Sequence, residues 1–275
     1  MSNARTPNWL VLYAIGYLIF LYAPVLLLPI FAFNDSAIVN FPLRGFTTQW
    51  FEGLWATDAL HSAVRNSLFV ALTTCVISTV LGVCAARAST RYQFPAKRGI
   101  MGLIMVPLVL PEIIVAVSLL VVLIQLGLDL SLWSVVLGHV LICVPFSIAV
   151  LASAFRNFDR SLEEASLDLG VGRVATFFKI TLPLVAPGII SSLLITFTIS
   201  LDEFIIAFFL TGTDATLPVY IWSQLRFTAK LPGVMALGTI LLAVSLLLLI
   251  LAEWFRRWSA KRSGADVESS AGGLF

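Results

Sequence analysis

Charged side chains are scarce in this chain. Asp, Glu, Lys and Arg together make up 12% of the 275 residues, whereas 59% of the residues are hydrophobic. A typical soluble globular domain carries about 25% charged residues. The composition therefore excludes an ordinary soluble globule.

Motifs for covalent chemistry are also absent. The chain has no G-x-x-x-x-G-K-[ST] loop to cradle ATP phosphates, and no His/Glu pair with zinc-protease spacing. The run from Gly170 to Ala175 fits a degenerate dinucleotide fingerprint, but it follows a predicted helix rather than a strand. Cys75, Cys84 and Cys143 lack metal-ligand spacing and fall within apolar runs. We expect no enzyme activity, no cofactor or metal bound by this chain, and no nucleic-acid partner.

Six apolar runs of roughly 20 residues or more are each long enough to cross a hydrocarbon core of about 30 Å. They lie at about 9–33, 62–86, 99–126, 132–155, 187–210 and 232–254. The first run is too long for a signal-peptide core and lacks a cleavage site, so we interpret it as a retained span. These runs predict an all-α membrane protein with six transmembrane helices in a single domain, 1–262. The Gly/Ser-rich segment 263–275 is predicted to be a disordered tail.

Basic residues are distributed unequally between the loops. With the N-terminus inside, thirteen Lys and Arg side chains fall in segments on the cytoplasmic side: Arg5, Arg87, Arg91, Lys97, Arg98, Arg156, Arg160, Arg173, Lys179, Arg256, Arg257, Lys261 and Arg262. Only four remain for the outside: Arg44, Arg65, Arg226 and Lys230. This positive-inside bias predicts that both termini, and the loop at 156–183, are cytoplasmic.

The loop at 156–183 has the pattern of a structured element. Ser161 and Glu164 have the spacing of a capping box, which predicts a helix from about Leu162 to Gly170 or Gly172. A second short helix is predicted over 173–180, with Pro183 ending it. Two short helices around glycines, set between membrane spans, indicate a docking element for a soluble partner.

The same loop resembles the EAA loop of permease subunits of bacterial binding-protein-dependent ABC importers. That likeness rests on Glu164-Ala165-Ser166, Gly170 and Ile180-x-Leu182-Pro183, with Ser166 as the one departure from E-A-A. The resemblance implies a type I ABC importer permease fold, with a coupling helix that sits in a groove of a separate ATPase subunit. The residues that it implies for coupling are Glu163, Glu164, Ala165, Ser166, Asp168, Leu169, Gly170 and Arg173. It also implies a bacterial inner-membrane location, a second homologous permease subunit, two ATP-binding subunits that carry ATP–Mg, and a periplasmic substrate-binding protein.

Glu112, His139, Asp202 and Glu203 lie well inside the predicted spans, away from the span ends. Charges at mid-membrane are costly and normally face a partner or a wet cavity. At about 1.5 Å rise per residue, Glu112, His139 and Asp202 reach a similar depth of roughly 18–22 Å from the inner face. We expect a translocation cavity there, and adjacent Asp202 and Glu203 point about 100° apart, so at most one can face it. Two alternatives remain open: a protonated Glu112 bonded to a carbonyl freed by a kink, and a His139 that serves packing.

Prolines predict which span is most irregular. Pro107 and Pro111 both lie in the third run, and intramembrane proline kinks a helix by removing a backbone donor. The third span is therefore predicted to be the most broken of the six, with Glu112 directly after its second proline.

The acids in the spans favour amines or metal cations as cargo. A narrower resemblance, to the spermidine/putrescine branch of these permeases, agrees with that sign. It rests on 33–36 (FNDS), 200–204 (SLDEF) and 217–226, which runs from Leu-Pro to Ser-Gln-Leu-Arg. Polyamine is the expected cargo, with opines, amino-acid-like compounds or ferric iron as alternatives. More remote alternatives are a secondary transporter and an intramembrane enzyme that uses Glu112, Asp202 and His139.

Overall fold

The computed structural model describes residues 8–36, 38, 41–247 and 250, and within these ranges the regular structure is helical apart from an isolated antiparallel bridge between Asn34 and Phe46. The predicted tail at 263–275 and the end of the sixth apolar run lie outside the described residues. In chain order the helices are α1 (Asn8–Ala32), α2 (Gln49–Trp55), α3 (Asp58–Arg91), α4 (Lys97–Met105), α5 (Glu112–Gln125), α6 (Leu132–Asn157), α7 (Ser161–Asp168), α8 (Arg173–Thr176), α9 (Leu182–Asp202), α10 (Ile205–Leu210), α11 (Leu217–Leu225) and α12 (Thr228–Leu247).

The long helices confirm an all-α membrane architecture. Five segments are each long and apolar enough to cross a bilayer as one helix: α1, α3, α6, the continuous stretch Arg173–Asp202, and α12. The pair Lys97–Leu108 and Glu112–Gln125, whose helices meet at 103°, is together long and apolar enough to count as a sixth. Together they give up to six spans.

The third span is broken where the sequence predicted. A 3₁₀ turn, Val106–Leu108, contains Pro107, and Pro111 takes an extended conformation (φ −56°, ψ 131°) immediately before α5. Neither proline has an N–H to donate to a preceding carbonyl, so the helical hydrogen-bond ladder cannot pass through the segment unchanged.

The described chain divides into two compact units. The first unit takes the described parts of 1–57 and 224–275. In it, α1 is exposed over most of its length, and the chain after it is held by Asn34, whose side-chain oxygen accepts from the Arg44 N–H (3.1 Å). The Trp50 indole N–H donates to the Asn34 carbonyl (2.9 Å), which fixes α2 beside the end of α1.

The second unit, Asp58–Ser223, is built on α3, α6 and α9, which pack against one another. Small residues permit the close approach, as is usual between membrane helices. A Cβ at Gly82 would collide with the Ser147 side chain, and one at Gly188 would lie 2.5 Å from the Ala154 Cβ. The hydroxyl of Ser147 also bonds that of Ser192 (2.8 Å), so buried polar groups join α6 to α9.

One predicted boundary in the fifth span is wrong. Pro183 does not end the short helix that begins at Arg173, because α8 continues through a π-helical turn, Phe177–Thr181, directly into α9. Pro183 lies in the first turn of α9, where a missing N–H is tolerated, and the wider turn before it changes the hydrogen-bond register. The apolar run at 187–210 also contains an interruption, since α9 ends at Asp202 and α10 starts at Ile205.

Candidate functional site

Helix α7, in the loop that carries the EAA-like residues, begins differently from the prediction. Ser161 is the first helical residue rather than the cap, so the predicted capping box is wrong. The Asp159 carboxylate takes that role by accepting the Ser161 N–H (2.9 Å), and this bond lowers the pKa of Asp159. Glu164, freed from the box, pairs with Arg160 one turn earlier (2.9 Å).

The end of α7 agrees with the sequence. Gly170 has a φ of +81°, the left-handed conformation predicted for a glycine at this helix end. Its N–H donates to the Leu167 carbonyl (2.9 Å), and the next N–H, of Val171, donates to Ser166 (3.1 Å). Gly172 has a φ of −65° and is not a left-handed cap.

Two side chains fasten α7 to its surroundings. The Thr181 hydroxyl donates to one oxygen of Glu163 (2.6 Å), and the Arg91 Nε lies 3.6 Å from the other. Glu163 thereby joins α7 both to the end of α3 and to the base of α9. On the other side, the buried hydroxyls of Ser166 and Thr176 are hydrogen-bonded (3.0 Å), which ties α7 to α8. We call α7, α8 and the turn between them (161–176) the loop block.

The structure sorts the predicted coupling residues into inward and outward sets. Ser166 is buried and ties α7 to α8, whereas the half-buried Glu163 joins α7 to the end of α3 and to the base of α9. The exposed residues are Glu164, Ala165, Asp168, Leu169, Gly170 and Arg173. Leu169 is 84% exposed and its neighbour across the turn, Val174, is 72% exposed, although both are apolar. The sequence analysis did not single out Val174. An apolar residue so close to the two glycines of the turn could have indicated it.

The second candidate region is the interruption between α9 and α10. Glu203 takes an extended conformation (φ −69°, ψ 125°), and its carboxylate accepts the N–H groups of Ile206 (2.9 Å) and Ala207 (3.1 Å). The side chain thus satisfies the free donors at the start of α10, which a helix interruption inside a membrane would otherwise leave unpaired.

His139 completes this buried group. Its Nε2 lies 3.1 Å from a carboxylate oxygen of Glu203, and its Nδ1 lies 2.8 Å from the Ser200 hydroxyl. The histidine is fully buried, and only 4% of the Glu203 side chain is exposed. The structure therefore brings His139 and Glu203 together in the interior of the helix bundle.

Asp202 and Glu112, the other two candidates for the pathway, are not part of this buried group. Asp202, directly before Glu203, is exposed, and so is Glu112 at the start of α5. Neither forms an ion pair within the described part of the chain. Of the two adjacent acids, Glu203 points inward and Asp202 points outward. No cluster of three His, Cys, Asp or Glu side chains suited to a metal occurs among the described residues.

Aromatic rings lie beside the interruption. The Phe204 ring is 5.4 Å from that of Trp222 in α11 and 5.5 Å from that of Phe208, measured between centroids. Trp222 and Phe208 are 46% and 43% exposed. The i, i+4 spacing of the two phenylalanines is visible in the sequence, but the contact with Trp222 depends on how α11 folds back. An exposed acid is thus followed by a partly exposed aromatic cluster.

Residues 78–263 match the family described as "Binding-protein-dependent transport system inner membrane component". The chain belongs to this family. Two curated relatives are similar over almost their whole length. The spermidine/putrescine transport system permease protein PotC of Shigella flexneri is 35% identical, with 90% of this chain and 94% of the relative covered. The putrescine transport system permease protein PotI of Escherichia coli (strain K12) is also 35% identical, with 98% of each chain covered.

Solved structures show that the fold of this permease is that of ABC importers. A bacterial ABC transporter involved in import of the acidic polysaccharide alginate superimposes with a TM-score of 0.71 at 15% identity, covering 93% of this chain and 99% of the other. The alginate transporter in complex with its pentasaccharide-bound periplasmic protein gives a TM-score of 0.66 at 20% identity, covering 89% and 90%. The family resemblance and the fold class predicted from the sequence are confirmed, and the chain is an inner-membrane component of a transport system.

Proposed function

We propose that this permease forms half of the translocation pathway of an ATP-driven polyamine importer, with spermidine or putrescine as cargo. The observation that carries this proposal is the similarity to two polyamine permeases along almost the entire chain, at 35% identity each. The exposed carboxylate of Asp202, beside the α9–α10 interruption, carries the negative charge that a cationic cargo requires.

Asp202 is the residue that we assign to the pathway. Its exposed carboxylate suits an ammonium group, and the exposed faces of Phe208 and Trp222 suit a second one through cation–π attraction, which is worth about 0.5–2 kcal/mol. Glu203 is fully occupied by His139 and two backbone donors, so it shapes the pathway without touching cargo. Glu112 is exposed and is the second candidate for the pathway or for the partner permease.

The loop block is proposed to be the coupling element. Its outward set, with Leu169 and Val174 at the tip, offers apolar surface to a groove of an ATPase subunit. Glu163 links the block to α3 and α9, so a push on the block moves the ends of both membrane helices. In this arrangement two ATP-binding subunits carry ATP–Mg, and a second, homologous permease completes the pathway. A periplasmic binding protein delivers cargo, and both termini of this chain are cytoplasmic.

Gly170 tests the coupling assignment. Proline cannot reach a φ of +81° and would also delete the N–H bonded to Leu167, so Gly170→Pro distorts the tip of the block. We expect membrane insertion to persist while ATPase assembly or polyamine uptake is lost. Gly172→Ala is the matched control, because its φ of −65° suits alanine and no atom lies within 4 Å of the added Cβ. Wild-type uptake by Gly170→Pro would count against the coupling role.

The cargo is tested by ATP hydrolysis in the reconstituted complex with its binding protein. Putrescine and spermidine are titrated in parallel with an opine, an amino acid and ferric iron. Stimulation by the polyamines alone supports the proposal. Stimulation by another solute would support an ATP-driven importer but contradict the polyamine cargo. Transport that continues without ATP would indicate a secondary transporter.

A further inference from the structure

A basic cleft of about 200 Å³ lies between the C-terminal end of α3 and the loop block. Its lining includes Tyr92, one acid, Glu163, and four arginines: Arg87, Arg91, Arg160 and Arg173. The cleft therefore carries an excess of positive charge.

Two of the four arginines are already paired. Arg91 lies 3.6 Å from Glu163, and Arg160 lies 2.9 Å from Glu164. Arg87 and Arg173 have no carboxylate within ion-pair distance in the described ranges. About two positive charges are thus left without a counter-ion from this chain.

Arg87 is the most constrained of the unpaired cations. Its guanidinium carbon lies over the Phe177 ring, 4.2 Å from the ring centroid, within cation–π distance. Its Nε is buried and has no hydrogen-bond partner in the described structure. A buried donor of a charged group without an acceptor is unfavourable, and a bound anion would relieve it.

The position of the cleft indicates which anion it meets. Arg87, Arg91 and Tyr92 lie at the end of α3, a candidate membrane span, and basic and aromatic side chains at span ends commonly contact lipid headgroups. Guanidinium groups form planar, two-point hydrogen bonds with phosphate, and the phenol of Tyr92 adds a donor. A volume of about 200 Å³ accommodates a phosphate group with several waters, each of which takes about 30 Å³.

We propose that this cleft binds a phosphate group, presented by an anionic phospholipid or as free phosphate, and that Arg87 and Arg173 hold it. Such a ligand would neutralise the cleft beside Glu163, the residue that joins the loop block to α3 and α9. This inference rests on the proposed cytoplasmic placement of the loop block and does not depend on the cargo.

The test uses the full-length chain in a neutral detergent at constant ionic strength. Its Tm is recorded against dihexanoyl phosphatidylglycerol, dihexanoyl phosphatidylcholine and inorganic phosphate. Phosphatidylglycerol is expected to raise the Tm saturably, at a concentration about tenfold lower than any effect of phosphatidylcholine, because a charged hydrogen bond discriminates by that order. An equal response to inorganic phosphate would identify free phosphate as the source.

Variants locate the effect. Arg173→Gln, at an exposed position, and Arg87→Gln are each expected to weaken the response about tenfold. Arg156→Gln is the matched control, since Arg156 is also exposed on this side but does not line the cleft, and its response should equal the wild type. If Arg156→Gln weakens the Tm response as much as Arg173→Gln does, the response comes from general surface charge, and the proposed site is wrong. Loss of ATPase assembly in Arg173→Gln with an unchanged lipid and phosphate response would assign the cleft to an acidic group of the ATPase, which also overturns the proposal.

Discussion

The third and fifth spans of this permease are both interrupted, and they differ in what makes the interruption. In the third span, α4 and α5 meet at 103° across a segment with Pro107 and Pro111. In the fifth, α9 and α10 are separated by Glu203 and Phe204, and no proline lies between Gly188 and Leu217. One interruption is dictated by the covalent structure of the backbone, and the other is held by side-chain contacts.

The acids at the two interruptions differ accordingly. Glu112 begins α5 and is exposed, whereas Glu203 is buried against His139 and the first N–H groups of α10. An interruption made by proline leaves its acid available to solvent or to another subunit. At the interruption without proline, the Glu203 carboxylate accepts the backbone N–H groups at the start of α10. In these two spans the acid is buried and bonded where no proline breaks the helix, and it is exposed where prolines do.

Removing the Glu203 carboxylate should have the largest effect. Glu203→Ala leaves His139 and two backbone donors without their partner, and breaking a buried pair in this way costs about 3–5 kcal/mol. The free energy of unfolding in mixed micelles measures it. Asp202→Ala is the matched control, because its exposed carboxylate lies one residue away, and we expect a change within about 0.5 kcal/mol. Equal losses in the two variants would remove the distinction between a structural and a free acid.

Glycine substitutions should have an intermediate effect and test how tightly each broken span is packed. A Cβ at Gly138 of α6 would collide with Ile206 and lie 3.0 Å from Leu210, both in α10. Gly138→Ala is expected to destabilise by about 1–3 kcal/mol, the cost of overpacking a core. Gly102 of α4 has no atom within 4 Å of an added Cβ, so Gly102→Ala should be neutral or stabilise by up to about 1 kcal/mol. Similar unfolding free energies for both variants would contradict the packing difference.

Replacing Pro111 should have the smallest effect on stability. Alanine restores the N–H and relaxes the restriction on the preceding residue, so the helix can extend through the gap between α4 and α5. We expect the unfolding free energy of Pro111→Ala to change by no more than about 1 kcal/mol. Amide hydrogen exchange at residues 109–113 should slow. If exchange there is unchanged, tertiary contacts rather than proline set the interruption.

The break in the third span could be predicted from the sequence, because proline acts on the backbone at its own position and Pro107 and Pro111 both lie there. The left-handed Gly170 is equally local, and it was predicted with the EAA-like pattern around it. The break at Glu203 could not be read from the sequence, because it depends on His139, 64 positions earlier in the numbering and on another helix.

Two local predictions failed because a neighbouring residue competed. Ser161 and Glu164 have the right spacing for a capping box, in which Glu164 would accept the Ser161 N–H. The Asp159 carboxylate accepts that N–H instead, and Glu164 pairs with Arg160. Pro183 is a helix breaker in general, but the π turn before it leaves no hydrogen bond for it to break. The sequence likewise could not say which of Asp202 and Glu203 faces outward, since the chain leaves the helix at that point.

We propose that Asp202 serves the translocation pathway, whereas Glu203 stabilises the interruption between α9 and α10. The most direct measurement is the rate of putrescine uptake per assembled complex in proteoliposomes, for wild type, Asp202→Asn and Asp202→Glu. We predict that Asp202→Asn assembles normally and loses about tenfold or more in rate, the scale of one charged hydrogen bond, and that Asp202→Glu restores part of it. Wild-type uptake by a fully assembled Asp202→Asn complex would contradict the claim.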